Sequence, residues 1–165
     1  MSNDVLHLRL ARPDDVRDIG VLCRRVVKRW VVPDQSAEVG RALLLRLSAS
    51  VLRQRIVEGQ RFHLAYVGTV LVGVAAMRDD SHLLHFYVST RYQGRGIARR
   101  LWQRAMRDAI RRAGTQRFTL NATPCAVPVY LRLGFHIDGA ERPSPNGVLT
   151  TPMSLQLPVR RSKRA

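Results

Sequence analysis

The chain is short of acids, lysine, cysteine and long apolar runs, and each shortage removes a class of protein. Only 12 acidic residues stand against 28 basic ones, so an acidic pocket built for a polycation is disfavoured. Cys23 and Cys125 are the only cysteines and form no metal or dithiol spacing, which points to reduced thiols in the cytoplasm. The most apolar stretch, Val70–Met77 with Tyr66-Val67 before it, is too short and too interrupted by glycine to span a bilayer. Met1-Ser-Asn-Asp-Val carries an early acid and no apolar run, so no signal peptide is expected. Lysine occurs only at Lys28 and Lys163, far from the glycine-rich stretch, which excludes the phosphate loop Gly-x-x-x-x-Gly-Lys-Ser/Thr.

What the chain does contain is arginine. Positions 81–165 hold 15 basic residues against 3 acids, and so carry +12 of the net +16. That imbalance fits a polyanionic partner, and equally an arginine-rich codon usage. With 45% hydrophobic and 24% charged residues, the composition is that of a globular protein. The length of 165 suits one domain over 1–157 and a basic tail, 158–165, expected to be disordered.

Leu6, Leu8 and Leu10 alternate with His7 and Arg9, which predicts a strand with one buried face. Pro13 and three nearby aspartates open a helix with inner stripe Val16, Ile19, Cys23, Val26, Val27 and Trp30, and Pro33 lies past its end. Ser36 caps a second helical region through Leu43, Leu44 and Leu47. Ser48-Ala-Ser50 breaks or re-caps it before Leu52 and Ile56, and Gly59 closes it. Phe62, Leu64 and Tyr66 alternate, Gly68-Thr69 turns, and Val70–Met77 returns as a strand buried on both faces. Asp79-Asp80-Ser81 turns again into the strand His82–Val88. Beyond the next helix, Phe118–Ala122 is a strand, and Thr123-Pro124 opens a helix ending at Gly134. Pro128 lies in the first turn of that helix, or its true start is nearer Val127. Phe135 and Ile137 begin a penultimate strand, 141–147 is a loop, and Met153, Leu155 and Leu157 alternate in the last strand. This order predicts an α+β or mixed α/β domain around a central sheet.

Between Val88 and the long helix lies Gln93-Gly94-Arg95-Gly96-Ile97-Ala98. Ala98, Leu101, Trp102, Ala105 and Ala109 make one face of that helix, arginines fill the other, and Gly114 stops it. Glycines there let backbone N–H groups approach a ligand at the positive end of the helix dipole, as phosphate sites do. Gln93, Arg95 and Arg99 add donors and charge. The dinucleotide fingerprint Gly-x-Gly-x-x-Gly fails at its third glycine, where Arg99 stands. On the glycines alone, a tight turn that binds nothing competes with a phosphate site.

The stretch resembles the acetyl-CoA-binding signature of the GNAT superfamily of N-acetyltransferases, Gln/Arg-x-x-Gly-x-Gly/Ala, in the register Gln93–Ala98. Arg91-x-x-Gly94-x-Gly96 also fits. Asn121-Ala-x-x-x-Ala126-x-x-x-Tyr130-x-x-x-Gly134-Phe135 is similar to that family's motif after its fifth strand. The resemblance covers nearly the whole chain. It implies a GNAT-like, mostly antiparallel mixed α/β sheet flanked by helices and splayed at strands 4 and 5. The chain departs from the pattern at Ala98, where glycine is commoner, and in having no acid on the fourth strand.

The resemblance further implies a cytoplasmic, metal-free enzyme that passes acetyl directly from acetyl-CoA to the primary amine of a small or amino-acid-like acceptor. Gln93, Gly94, Arg95, Gly96, Ile97 and Ala98 would hold the CoA pyrophosphate. Backbone groups of Phe86 and Val88 would meet the pantetheine arm, with Asn121 and Tyr130 beside it. A backbone N–H there would face the thioester carbonyl as an oxyanion donor. Tyr130 is the candidate acid for the departing thiolate. His85 is the named base, because imidazole titrates near neutrality, and His82, Asp138, Glu141, Glu58 and a water relay stay open beside it. Cys125 has no evident histidine–carboxylate pair, so no acyl-enzyme is expected. Trp30, Val32, Asp34 and Glu38 fall where the resembled family commonly walls its acceptor pocket. An acceptor on RNA, a protein N-terminal amine, a non-catalytic nucleic-acid-binding role and a homodimer remain open, and no membrane contact is expected.

Overall fold

The computed structural model describes residues 5–159. The tail residues from 160 onward lie outside that range, as do residues 1–4. In chain order come β1 (Leu6–Leu10), α1 (Val16–Trp30), α2 (Ala37–Leu45), α3 (Ala49–Val57), β2 (Arg61–Val67), β3 (Val70–Arg78) and β4 (His82–Val88). Then follow α4 (Ile97–Ala113), β5 (Arg117–Ala122), α5 (Val127–Leu133), β6 (His136–Ile137), β7 (Arg142–Pro143) and β8 (Leu149–Gln156). One sheet runs β1-β2-β3-β4-β5-β8-β6, with β7 paired to the start of β8. All strand pairs are antiparallel except β4 with β5.

The unbroken apolar run of β3 follows from its place in the sheet. Val74 and Ala76 lie in a core with α1 and α3, built around Ile19, Cys23, Val27 and Leu52. Ala75 and Met77 face the opposite way, into a core with α4 around Leu101, Trp102 and Ala105. A strand covered on both sides has no solvent face on which to alternate. The helical region after Pro33 divides in two because each half has its own serine cap. Ser36 Oγ accepts from Val39 N at 3.2 Å, and Ser48 Oγ from Val51 N at 3.5 Å. α5 begins at Val127, which places Pro128 in the first turn, where a missing N–H costs no helix bond.

The carboxyl-terminal part is more strand-like than its composition suggests. The segment 141–147, expected to be loop, contains β7, and β8 starts at Leu149, four residues before Met153. A tight turn joins them, with Ser144 N donating to Val148 O at 2.8 Å and Gly147 at φ +80°. The tip of this hairpin rests on α2, with Gly147 against Val39, and Leu149 N donates to Oε1 of Gln35, just before α2, at 3.0 Å.

Two histidines sit where protonation is costly. His63 on β2 is 1% exposed and stands 3.3 Å from Asp108, which Arg61 holds with two 3.0 Å hydrogen bonds. Burial lowers the His63 pKa to about 4, only partly opposed by Asp108, and burial likewise lowers His85 to about 4. Both are neutral in the folded protein yet take up protons near pH 6.5 when unfolded. The unfolded chain thus binds protons that the folded protein excludes, so stability is unaffected by these groups above pH 6.5 and declines as pH falls from there towards 4. Thermal unfolding between pH 7 and pH 4 should show that decline, and His63→Gln should make it shallower.

Candidate active site

β4 and β5 pair at only two positions, His82 with Thr119 and Leu83 with Leu120. Past them, β4 follows β3 to Val88 while β5 follows β8, and the two strands part. The cause lies in β4, where Leu83 faces Met77 and His85 faces Ala76, leaving Leu84 as an extra residue. Such a bulge bends its strand and increases the local twist. His82 Nδ1 and Thr119 Oγ1, 2.7 Å apart, tie the root of the split. From Leu84 to Val88, the side of β4 turned towards β5 has no strand partner. Gln93 Nε2 supplies one bond there, to Val88 O at 3.1 Å.

The split opens a cavity of about 700 Å³ that reaches both faces of the sheet. On the α4 face it is bounded by the glycine turn, the first residues of α4, and Asn121, Tyr130 and Arg132. Gly94 and Gly96 hold φ of +76° and +77°, and a Cβ on either would meet nothing within 4 Å. Packing therefore does not require these glycines. The left-handed conformation and the open approach do. The first backbone bond within α4 runs from Arg100 N to Gly96 O, which leaves the N–H groups of Ile97, Ala98 and Arg99 without helix partners. Arg95 lies outside the cavity lining, its guanidinium 4.9 Å from the centre of the Tyr92 ring, while Arg99 lines the cavity.

Tyr130 stands where α5 meets the split. Its ring is 5.9 Å from Phe86 and 5.8 Å from Phe135, and its hydroxyl has no hydrogen-bond partner among the described residues. Burial, with Cys125 adding to it, pushes the phenol pKa well above 10, so the proton stays on at neutral pH. Phe86 and Val88 both line the cavity and pack towards the α4 core.

On the other face the cavity runs under α1 and α2. The bulge settles which way His85 points: opposite Ala76, beside Phe62 and Tyr87 at ring distances of 6.1 and 6.0 Å. Its Nδ1 is buried without a partner. His82 also lines the cavity, but its Nδ1 is engaged by Thr119. Glu58, Asp138 and Glu141 lie away from it, and no carboxylate lines it among the described residues. Cys125 lines it and donates to Trp30 O at 3.2 Å, with neither histidine nor carboxylate partner. Of the wall residues expected around the α1–α2 junction, Trp30 contributes and Val32, Asp34 and Glu38 do not. Leu43, Arg46 and Tyr87 take part instead, as do Ser144, Asn146 and Thr150 of the hairpin. Leu43 and Arg46 stand three apart at the end of α2, a spacing that marks one helix face. The hairpin residues leave no such local signal, since a distant strand pairing brings them in.

A mixed sheet that opens between parallel neighbours, with a glycine turn and helix N-terminus beside the opening, is the architecture of an acetyltransferase domain. The chain belongs to the GNAT acetyltransferase family: the profile described as Acetyltransferase (GNAT) domain matches residues 31–157. No curated protein matches it. Among solved structures it is similar to a GCN5-related N-acetyltransferase from Rhodopseudomonas palustris, with 19% identity, a TM-score of 0.78, and 95% of this chain and 99% of that one covered. PaiA N-acetyltransferase from Thermoplasma acidophilum, solved in complex with coenzyme A, is 17% identical at TM-score 0.76, covering 92% of this chain and 99% of that one. YncA from Salmonella typhimurium, solved with its cofactor acetyl-CoA, is 20% identical at TM-score 0.64, covering 98% and 99%. At these identities the likeness concerns the fold.

Proposed function

We propose that this protein is an acetyl-CoA-dependent N-acetyltransferase that moves acetyl directly to the primary amine of a small acceptor. One observation carries the reading: a single cavity joins the glycine turn, the parted strands, Tyr130 and His85. The residues present fit the donor. Gly94 and Gly96 leave room for close approach, the free N–H groups at the start of α4 suit a pyrophosphate, and Arg99 and Arg132 add positive charge. The unpaired side of β4 from Leu84 to Val88 suits an extended arm lying along a strand. Acetyl-CoA supplies the activated acyl group. A backbone N–H on that side of β4 serves as donor to the carbonyl oxygen, where negative charge grows. Tyr130 delivers its hydroxyl proton to the departing sulfur. His85, uncharged at neutral pH, receives the proton of the amine once bond formation has made that proton acidic.

Titration calorimetry with acetyl-CoA tests the assignment, and absence of binding would overturn it. Gly96→Ala gives a sharper version. The left-handed φ costs the alanine about 1–2 kcal/mol, a modest fall in Tm, because its Cβ meets no protein atom. Acetyl-CoA affinity should nevertheless drop by roughly tenfold or more, since the methyl group occupies the ligand's approach.

A second reading has one observation in its favour. Arg100, Arg104, Arg107 and Arg111 form an exposed row on α4, which would suit an acceptor carried on RNA. Steeply salt-dependent RNA binding by an otherwise active enzyme would support it.

A further inference from the structure

We propose that the acceptor is a small primary amine carrying a carboxylate on an apolar body, and that Arg46 is the residue that reads the carboxylate. This rests on the acetyltransferase reading above and names the substrate class for the same site. The argument is a census of charge. Arg99 and Arg132 belong to α4 and α5, on the side of the glycine turn, whereas Arg46 caps α2 and lines the cavity together with Leu43 of the same helix. On that side Arg46 is the one fully charged side chain among the lining residues. It is exposed and has no carboxylate partner among the described residues, unlike Arg9, Arg61 and Arg112, which are paired with Asp15, Asp108 and Asp80.

The remaining walls on this side are mainly Trp30, Val31, Leu43, Tyr87 and Val148, with polar groups from Ser144, Asn146 and Thr150. A polyamine would bring a second cation beside Arg46 with no carboxylate to receive it, which is unfavourable. A carboxylate on the acceptor reverses that sign. The planar guanidinium fork matches its two oxygens, and one arginine balances one monoanion, whereas a phosphate dianion calls for further donors. The apolar walls then accommodate the body of the molecule, and His85 lines the same side of the cavity.

The test measures free thiol released from acetyl-CoA with apolar L-amino acids, their uncharged amides, an aminoalkyl phosphate and a polyamine as acceptors. The carboxylates should exceed the amides, the phosphate and the polyamine by roughly tenfold or more in kcat/KM. Arg46→Gln should raise the KM for the amino acids by a similar factor and erase their advantage over the amides. Calorimetry should find its acetyl-CoA affinity unchanged, and Arg46→Lys should recover part of the preference. Equal turnover of amides, a preference for the phosphate or the polyamine, or no turnover of carboxylates by a protein that binds acetyl-CoA overturns the proposal. So does an Arg46→Gln variant whose defect lies in acetyl-CoA binding. Calorimetry on the unaltered protein reads the donor independently of any amine, so failure of the acetyltransferase reading is distinguished from failure of this one.

Discussion

Tyr130→Phe should lower kcat by roughly 10²- to 10³-fold while leaving acetyl-CoA affinity nearly unchanged. The substitution removes one oxygen and its proton and keeps the ring, so the contacts with Phe86 and Phe135 survive and no cavity forms. The hydroxyl gives up no protein hydrogen bond among the described residues, and stability should change by less than about 1 kcal/mol. What disappears is a proton source. Burial holds that proton on the phenol through the neutral range, which makes Tyr130 suitable as an acid and unsuitable as a base. Pre-steady-state measurement with a good acceptor separates the two roles. Unchanged turnover would reduce Tyr130 to a packing residue.

Trp102→Ala should cost about 3–5 kcal/mol, a large share of the stability of a domain this size. Trp102 is 2% exposed on α4 and meets Phe118 edge-on at 5.2 Å and Phe135 at 5.1 Å. It therefore joins the helix that begins at the glycine turn to β5 and to the segment after α5. Truncation leaves a void that three separate elements would have to collapse to fill, and each is fixed elsewhere. Thermal unfolding should fall by roughly 10 °C or more. Because Phe135 also packs on Tyr130, turnover in the folded fraction should fall with it. A variant with normal Tm would show that α4 is held by its other contacts.

Much of this could be read from local chemistry. The serines at 36 and 48, Pro128 and Gly114 act within a turn of where they stand, so those helix ends followed from neighbours alone. Pro13 and Pro124 instead open 3-10 turns, and the α-helices begin three residues later, at Val16 and Val127. The continuous apolarity of Val70–Met77 likewise reported a strand covered on both sides. The bulge at Leu84 left no trace in composition. It is a property of how β4 registers against β3, and it decides both that His85 faces α1 and that the sheet opens. Arg46 was one arginine among many until folding placed it in the cavity, away from the arginines on α4 and α5. Ser144, Asn146 and Thr150 arrive from a hairpin whose tip, at Gly147, touches Val39 of α2 more than a hundred residues earlier in the chain. The glycine-turn end of the cavity draws largely on a short run of adjacent residues, whereas its walls under α1 and α2 are assembled from four separate parts of the chain.

The parted strands bear on how this chain avoids its own kind. An unpaired strand edge ordinarily invites another copy to add a strand, and a growing stack is the usual outcome. Here the unpaired stretch of β4 lies inside the sheet, with β3 on one side and the diverging β5 on the other. The edge of a second sheet would have to enter between β4 and β5 to reach it, whereas a slender, flexible molecule needs far less room. That stretch of β4 is thus open to a ligand without being an outer edge of the sheet, whose ends are β1 and β6.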